Sequence, residues 1–282
     1  MEILFLGTAA AEGIPALFCR CDTCLNAEES GAYDIRSRCG YLINRHLMID
    51  ITPDIMLHKR LYSLDLTAVD TLCITHSHTD HLNIADLCFR STGAMHYATI
   101  PDEKPIAVYA NKKSCEVIRK GLEFDFGVPE NASINIHVIS AKSIIQSAEL
   151  KVIPFNARHD TREDCLFYLI QEGEQAFIQI NDSGLPEKEF ELALTEALEG
   201  RKLSAVSMDC TFCLKSGKAS HMGVTENIAL KKHLLHASLA NEKTLFFANH
   251  FSHNGHASHK ELSDALSPHG ITPAYDGMVL SL

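Results

Sequence analysis

Short apolar runs recur along the chain: "EILFLG", "GYLINRHLMIDI", "VDTLCIT", "PIAVYA", "LKVIPF", "CLFYLI", "QAFIQI", "LSAVSMD" and "TLFFAN". Their length and their content of β-branched and aromatic residues predict β-strands. Helical patterns lie among them. "PDIMLHKRLYSL" and "PEKEFELALTEALEG" each carry proline near the first turn, and the second ends in glycine. "SHKELSDAL" opens with a capping-box pattern, Ser258 and Glu261, and an amphipathic helix follows "KASHMG". The first half is strand-rich, and helices fall between strands throughout. That order predicts an α/β (α+β) architecture of two packed sheets with helices outside, as one domain over residues 1–282. No low-complexity linker, short repeat or second-domain boundary marks the chain.

Composition narrows the class. With 282 residues and 46% hydrophobic content the chain can bury a sizeable core. No run approaches the ~18 to 20 apolar residues of a membrane span. The start lacks the basic residues of a signal peptide and carries Glu2 and Glu12, so "EILFLG" reads as a first strand and the protein as cytoplasmic. A net charge of −11 without a basic stripe argues against nucleic acid as a partner, while bound divalent metals would offset part of it locally and make a small anionic substrate welcome. The ten cysteines do not form a disulfide framework. Cys39, Cys73, Cys88, Cys115 and Cys165 read as small buried hydrophobes. Cys19, Cys21 and Cys24, and the pair Cys210 and Cys213, are spaced like metal ligands.

The chemistry concentrates in "THSHTDH", Thr75 to His81, directly after the strand "VDTLCIT". His76, His78, Asp80 and His81 place four potential ligands within six residues. Along a strand end His76 and His78 would face one way, and a turn would send Asp80 and His81 to a second position. Imidazoles for one metal and a carboxylate with imidazole for its neighbour suit Zn, Fe, Ni or Mn. Cys19-x-Cys21-x-x-Cys24 supplies three thiolates, one short of a closed tetrahedral zinc site. His253 and Cys213 are both candidates for the fourth ligand.

The histidine motif resembles the signature of the metallo-β-lactamase superfamily, and the resemblance runs over nearly the whole chain. It implies an αββα sandwich with metals at one edge of paired sheets. "FLGTAAAEG" matches the family's first strand and turn, Asp50 in "LMIDIT" its acidic strand end, His159 in "NARHD" its next histidine, Asp182 in "INDSGLPE" its bridging carboxylate and His250 in "FFANHFSH" its last ligand. The implied assignment gives His76, His78 and His159 to one divalent metal and Asp80, His81 and His250 to the other, with Asp182 bridging. Asp50 would orient a ligand imidazole from behind. A hydroxide held between the metals would be the nucleophile. The segment after His159 departs from the family's compact "NHS".

The cysteine loop near residues 18–25, with "GLPE", "MDC" and "YDGM", looks like the PhnP-type cyclic phosphodiesterases of the carbon–phosphorus lyase pathway, a branch of phosphonate metabolism. That likeness implies two catalytic metals and one structural zinc held by Cys19, Cys21, Cys24 and His253. His221 would contact substrate and transfer a proton, joining Asp80 and Asp182 as residues that carry catalysis. Tyr275 and Asp276 would shape the pocket. His256 has no matching position in the family, and His259, in a first helical turn where the macrodipole disfavours a cation, would have a solvated surface role. The expected reaction is hydrolysis of a small cyclic phosphate sugar, such as 5-phosphoribosyl 1,2-cyclic phosphate. The alternatives are an RNA 3′-processing nuclease, a thioester hydrolase or a hydrolase of the pyrroloquinoline quinone branch, and a non-catalytic metal-bound binding protein. The oligomeric state is open, a homodimer being one option.

Overall fold

The structure is a computed structural model that describes residues 1–90, 98–100, 104–127 and 133–282. Six strands open the chain: β1 (Glu2–Gly7), β2 (Gly40–Ile43), β3 (Leu47–Ile49), β4 (Thr71–Cys73), β5 (Ile106–Ala110) and β6 (Ile134–Val138). Seven more follow: β7 (Ile145–Ser147), β8 (Leu150–Asn156), β9 (Leu166–Glu172), β10 (Gln175–Ile180), β11 (Ala205–Asp209), β12 (Leu245–Asn249) and β13 (Thr272–Pro273). A last strand, β14 (Val279–Ser281), returns to the first sheet. The two seven-stranded sheets run β14-β1-β2-β3-β4-β5-β6 and β13-β12-β11-β10-β9-β8-β7. Both share one pairing pattern, with antiparallel strands on one side giving way to parallel strands on the other.

Helices α1 (Asp22–Ser30), α2 (Ile55–Leu61), α3 (Ile84–Cys88), α4 (Lys112–Phe126), α5 (Lys188–Leu198), α6 (Val224–His236) and α7 (His259–Leu266) cover the outer faces. Strand alternation divides the core into layers. Tyr41, Ile43, Leu47 and Ile49 pack inward on Tyr168, Ile170, Phe177 and Phe247 of the other sheet. Leu42 and Met48 face the opposite way, in a layer that includes Ile55, Leu87, Ile118 and Leu122 from the first set of helices. Beyond the second sheet, Leu169, Ile178, Val206 and Phe246 pack with Leu194, Leu230, Leu234 and Leu262. Strands sandwiched in this way have both faces buried, which is why they read as continuous apolar runs rather than alternating ones. The "GYLINRHLMIDI" run is two strands, because Asn44 and Arg45 take left-handed backbone and turn the chain. The Ser258–Glu261 capping box opens α7, with Glu261 N donating to Ser258 Oγ at 3.2 Å. Cys39, Cys73, Cys88, Cys115 and Cys165 are all buried.

One core histidine makes stability depend on pH. His58 on α2 is fully buried, with Nε2 2.7 Å from Ser37 Oγ and no hydrogen-bond partner for Nδ1. Burial, only partly opposed by Asp54, pulls its pKa from 6.5 down to about 4. The unfolded chain therefore binds this proton first as pH falls. Native stability should drop between about pH 6.5 and about pH 4 by on the order of 3 kcal/mol from this residue, then level off. Denaturant midpoints of wild type and His58→Gln should converge as pH falls through that window. A gap that stays constant would show that His58 is not the titrating group.

Candidate metal centre

The expected site residues follow strand ends at one edge of the sandwich. Asp50 follows β3, the histidine loop follows β4, His159 follows β8, Asp182 follows β10, and His250 follows β12. β3 and β4 are parallel, β10, β11 and β12 are parallel, and two antiparallel steps bring β8 into the same direction as β10. Their C-terminal ends therefore share an edge. Asp50, Asp182 and His250 have φ of 63°, 48° and 62°. This left-handed backbone is uncommon for non-glycine residues and turns each chain sharply at the strand's last hydrogen bond.

Strand β4 stops at Cys73, so strand periodicity does not place His76 and His78. A turn does: His81 N and Leu82 N both donate to His78 O, at 3.1 and 2.9 Å. The His76 ring lies 4.4 Å from both His78 and His81, and 4.8 Å from His159. Asp50 is buried behind them. It accepts from Thr75 N at 2.8 Å and contacts His81 Nδ1 at 2.7 Å, leaving His81 Nε2 to face forward.

Asp182 occupies the middle. Its oxygens lie 2.6 Å from His81 Nε2, 3.3 Å from His250 Nε2, 3.6 Å from His76 Nε2 and 3.8 Å from His159 Nδ1. Asp80 approaches His81 Nε2 at 3.0 Å. Those four histidine nitrogens are buried and make no hydrogen bond. Buried polar atoms without partners are rare unless something else satisfies them. Imidazole nitrogens converging on carboxylates fit divalent metal ions, and His76, His78 and His159 form one convergent set while Asp80, His81, Asp182 and His250 form another.

The carboxylates of the site favour positive charge among the histidines, carried by protons here and displaced by any divalent ion that binds the neutral rings. Burial works against a charge on His81, but Asp80, Asp50 and Asp182 raise its pKa well above the ordinary value. His250 is pushed up to about 9 despite burial, chiefly by Asp182. Burial opposes the Asp182 charge as well, yet His250 and His81 hold its carboxyl well below the usual range. His76 is driven well below 6.5 by burial and then by His81.

His221 lies beside this cluster, with Nδ1 3.4 Å from Asp182 and 3.2 Å from Asp209 Oδ2. Burial favours its neutral form, but Asp209 overcomes this and raises the pKa. Asp209 is fully buried, accepts from Met222 N at 2.8 Å and from Thr211 Oγ1 at 2.9 Å, and so fixes the segment before α6. Thr211 Oγ1 also meets His250 Nδ1 at 2.9 Å, which leaves Nε2 for the centre. Gly223 is needed here, since a Cβ would stand 2.0 Å from Lys215 O. The sequence reading missed Asp209 as a site residue. Its signal was an acid closing a buried strand, as in "LMID", but one such acid does not announce a role.

The cysteine loop gathers a separate cluster. Cys19 and Cys21 Sγ lie 3.4 and 3.5 Å from His253 Nδ1, and Cys24 joins them with all ligand atoms within 4.8 Å of one another. Cys21 is the N-cap of α1. Desolvation raises its pKa, but His253 and the neighbouring donors outweigh this and bring the thiol down to about 6. Three thiols and one imidazole fit tetrahedral zinc. Cys213 is not in this cluster: it faces the Thr211 and Ser252 carbonyls and packs against Gly255. Cys210 and Cys213 are both buried and belong to no ligand cluster among the described residues, contrary to the expectation from their spacing.

One further expectation needs correction. His259 is half-buried rather than solvated, with Nδ1 2.9 Å from buried Arg36 Nη2 and its ring 5.0 Å from Tyr33. Asp276 accepts from Thr8 Oγ1, Ser37 N and Ser37 Oγ at 2.6 Å each, and the Tyr275 ring lies 4.2 Å from that of Tyr33, tilted by 30°. Asp276 thereby braces the segments that follow β1 and precede β2. His256 is exposed.

Two packed mixed sheets presenting histidines and aspartates at one edge define a hydrolase scaffold of the metallo-β-lactamase fold. The chain belongs to the β-lactamase superfamily, whose domain description, "Beta-lactamase superfamily domain", matches residues 45–247. Members of this fold family are metal-dependent hydrolases. His250 and the cysteine cluster lie outside the matched span. A diphosphatase of the PhnP family is similar over 100% of this chain and 97% of its own, at 22% identity and TM-score 0.73. Zinc-bound PqqB from Methylobacterium extorquens is similar over 100% of both chains, at 17% identity and TM-score 0.73. Human tRNase Z, short form, is similar over 100% of this chain and 99% of its own, at 16% identity and TM-score 0.66. These three likenesses concern the fold. An octanoyltransferase of Porphyromonas gingivalis (strain ATCC BAA-308 / W83) is 27% identical over 185 residues, 63% of this chain. The match spans only 34% of that curated relative's length. No helix among the described residues is long and apolar enough to cross a membrane.

Proposed function

We propose that the chain is a dinuclear metal-dependent phosphodiesterase that opens a small cyclic phosphate sugar, 5-phosphoribosyl 1,2-cyclic phosphate being the model substrate. The observation that carries this reading is His221, held on Asp209 at 3.2 Å beside the histidine–aspartate cluster. One ion would be held by His76, His78 and His159, the other by Asp80, His81 and His250, with Asp182 between them. A separate zinc would sit on Cys19, Cys21, Cys24 and His253. Divalent ions in the paired positions would supply water activation and neutralise phosphate charge. The chain's own residues provide orientation and a proton. Asp50 holds the His81 ring, Thr211 holds His250, and Asp209 takes Nδ1 of His221. With Nδ1 fixed, the far nitrogen of that ring can hold a proton for the departing sugar oxygen.

Acyl thioester hydrolysis is the second reading, favoured by the 27% identity to an octanoyltransferase. Metal-loaded protein should be compared at low salt on the cyclic phosphate sugar, a structured RNA and an octanoyl thioester. Low salt gives the RNA its best chance, because screening is weakest there. The cyclic phosphate should show the highest kcat/KM, in keeping with a net charge of −11 and no basic stripe. A higher value for the RNA or the thioester would replace the phosphodiesterase reading.

A further inference from the structure

The segment after His159, "DTRED", sits beside the histidine loop in a way the cluster itself does not require. Asp160 Oδ2 lies 3.1 Å from His78 Nε2. The same carboxylate accepts from Arg162 N at 2.9 Å, from Arg162 Nε at 2.9 Å and from Arg162 Nη2 at 2.6 Å. Three residues on, Glu163 accepts from Ser77 N at 3.0 Å, Ser77 Oγ at 2.6 Å and Asn111 Nδ2 at 2.8 Å. Asn111 also donates to Asp164 O at 2.9 Å and accepts from Ser114 N at 2.8 Å, which ties the segment to the start of α4. Two carboxylates of one loop therefore hold two consecutive residues of the other, Ser77 and His78. These oxygens are occupied by donors, so the group His78, Asp160 and Glu163 is a clamp and not a third ion site.

His78 needs such a clamp. Its side chain is 35% exposed, against 1% for His76 and 11% for His159, so packing constrains it least. A neutral imidazole keeps a proton on one nitrogen and a lone pair on the other, and the partner of the first decides which is which. A carboxylate at Nε2 makes that nitrogen the N–H and leaves Nδ1 as the lone-pair donor. Nδ1 then points toward the His159 ring, 3.3 Å from its Nε2.

We propose that Asp160, held by Arg162, is a positioning residue that fixes the tautomer of His78, and that Glu163 locks the same loop through Ser77. The clamp thereby sets the affinity of the His76–His78–His159 position separately from its neighbour. This rests on the dinuclear reading above.

The test is metal content after dialysis against a weak chelator, together with the absorption spectrum of the Co(II)-substituted protein. Wild type should hold two ions beyond the cysteine-bound zinc. Asp160→Asn, isosteric but able to donate, should weaken one of the two by ~10- to 100-fold, the usual cost of removing an outer partner of a ligand histidine. Its Co(II) spectrum should lose intensity from one position only. Arg162 is 81% exposed, so Arg162→Ala keeps the fold and should show a smaller loss in the same position, partly restored by Arg162→Lys. If Asp160→Asn fails to fold, the two Arg162 variants decide. A wild type holding fewer than two such ions would overturn the dinuclear reading itself. Two ions in wild type with unchanged affinity in the variants, or equal weakening of both positions, would overturn the clamp.

Discussion

His221→Ala is expected to keep its full metal content and lose kcat by ~10² to 10⁴ on a substrate with a poor leaving group. The residue stands outside both ligand sets proposed for the ion pair, with its Nδ1 held by Asp209. A proton donor acts mainly in the transition state, so kcat should fall more than KM rises. Bis-p-nitrophenyl phosphate releases p-nitrophenolate, which leaves without a proton, and on it the loss should be much smaller. Asp209→Asn should share the same discrimination in weaker form, since it leaves His221 present but loosely oriented. Lost metal in the alanine variant would make His221 a ligand. An equal loss on both substrates would leave it only a role in placement.

Breaking the cysteine–histidine cluster should have the second large effect, and on stability rather than chemistry. Cys21→Ser or His253→Ala is expected to lose one metal per chain while the paired ions remain. Cys19 and His253 are 234 residues apart in sequence. A metal clip across so long a loop removes much of the unfolded chain's freedom, as a disulfide would, and its loss should cost on the order of 5 kcal/mol. His253 also follows His250 by three residues, so some loss of activity should accompany the loosening. Elemental analysis and denaturant midpoints check both parts. Unchanged metal content would remove the zinc assignment, and zinc lost from Cys213→Ser but kept in His253→Ala would move the fourth ligand.

Much of this was legible because it is local or strongly patterned. The "THSHTDH" loop carries four ligand-type residues within six positions, and the buried strands announce themselves as apolar runs. The family resemblance then pointed to His159, Asp182 and His250, which the structure brings to one edge. What stayed hidden depends on contacts across the fold. Asp209 is a single acid at a strand end, and only packing reveals that it faces His221 and Thr211. Asp160 and Glu163 look like surface charges until Ser77 and His78 arrive against them. The β6 sequence "INIHV" has only its first residue fully buried and alternates polar and apolar, so it lacks the continuous run that marked its neighbours. The C-x-x-C pair misled because spacing cannot distinguish a ligand pair from two thiols packed in a core.

The hydroxyl of Tyr41, in the first sheet, lies 2.7 Å from Asn181 and 2.8 Å from Asn249. Those asparagines immediately precede Asp182 and His250, and they are 140 and 208 residues from Tyr41. Contacts of such sequence separation form late, because the loop-closure cost must be met before they contribute. Neither half of the chain can build this edge alone, since Asp50 and the histidine loop come from one sheet and Asp182 and His250 from the other. Ion uptake by the paired positions should therefore follow sheet docking during folding. In a small zinc finger the metal organises an otherwise unfolded chain. Here the expected order is the reverse: ions taken up by the paired positions would close a finished sandwich, and the rate at which a refolding chain captures them should report its last step.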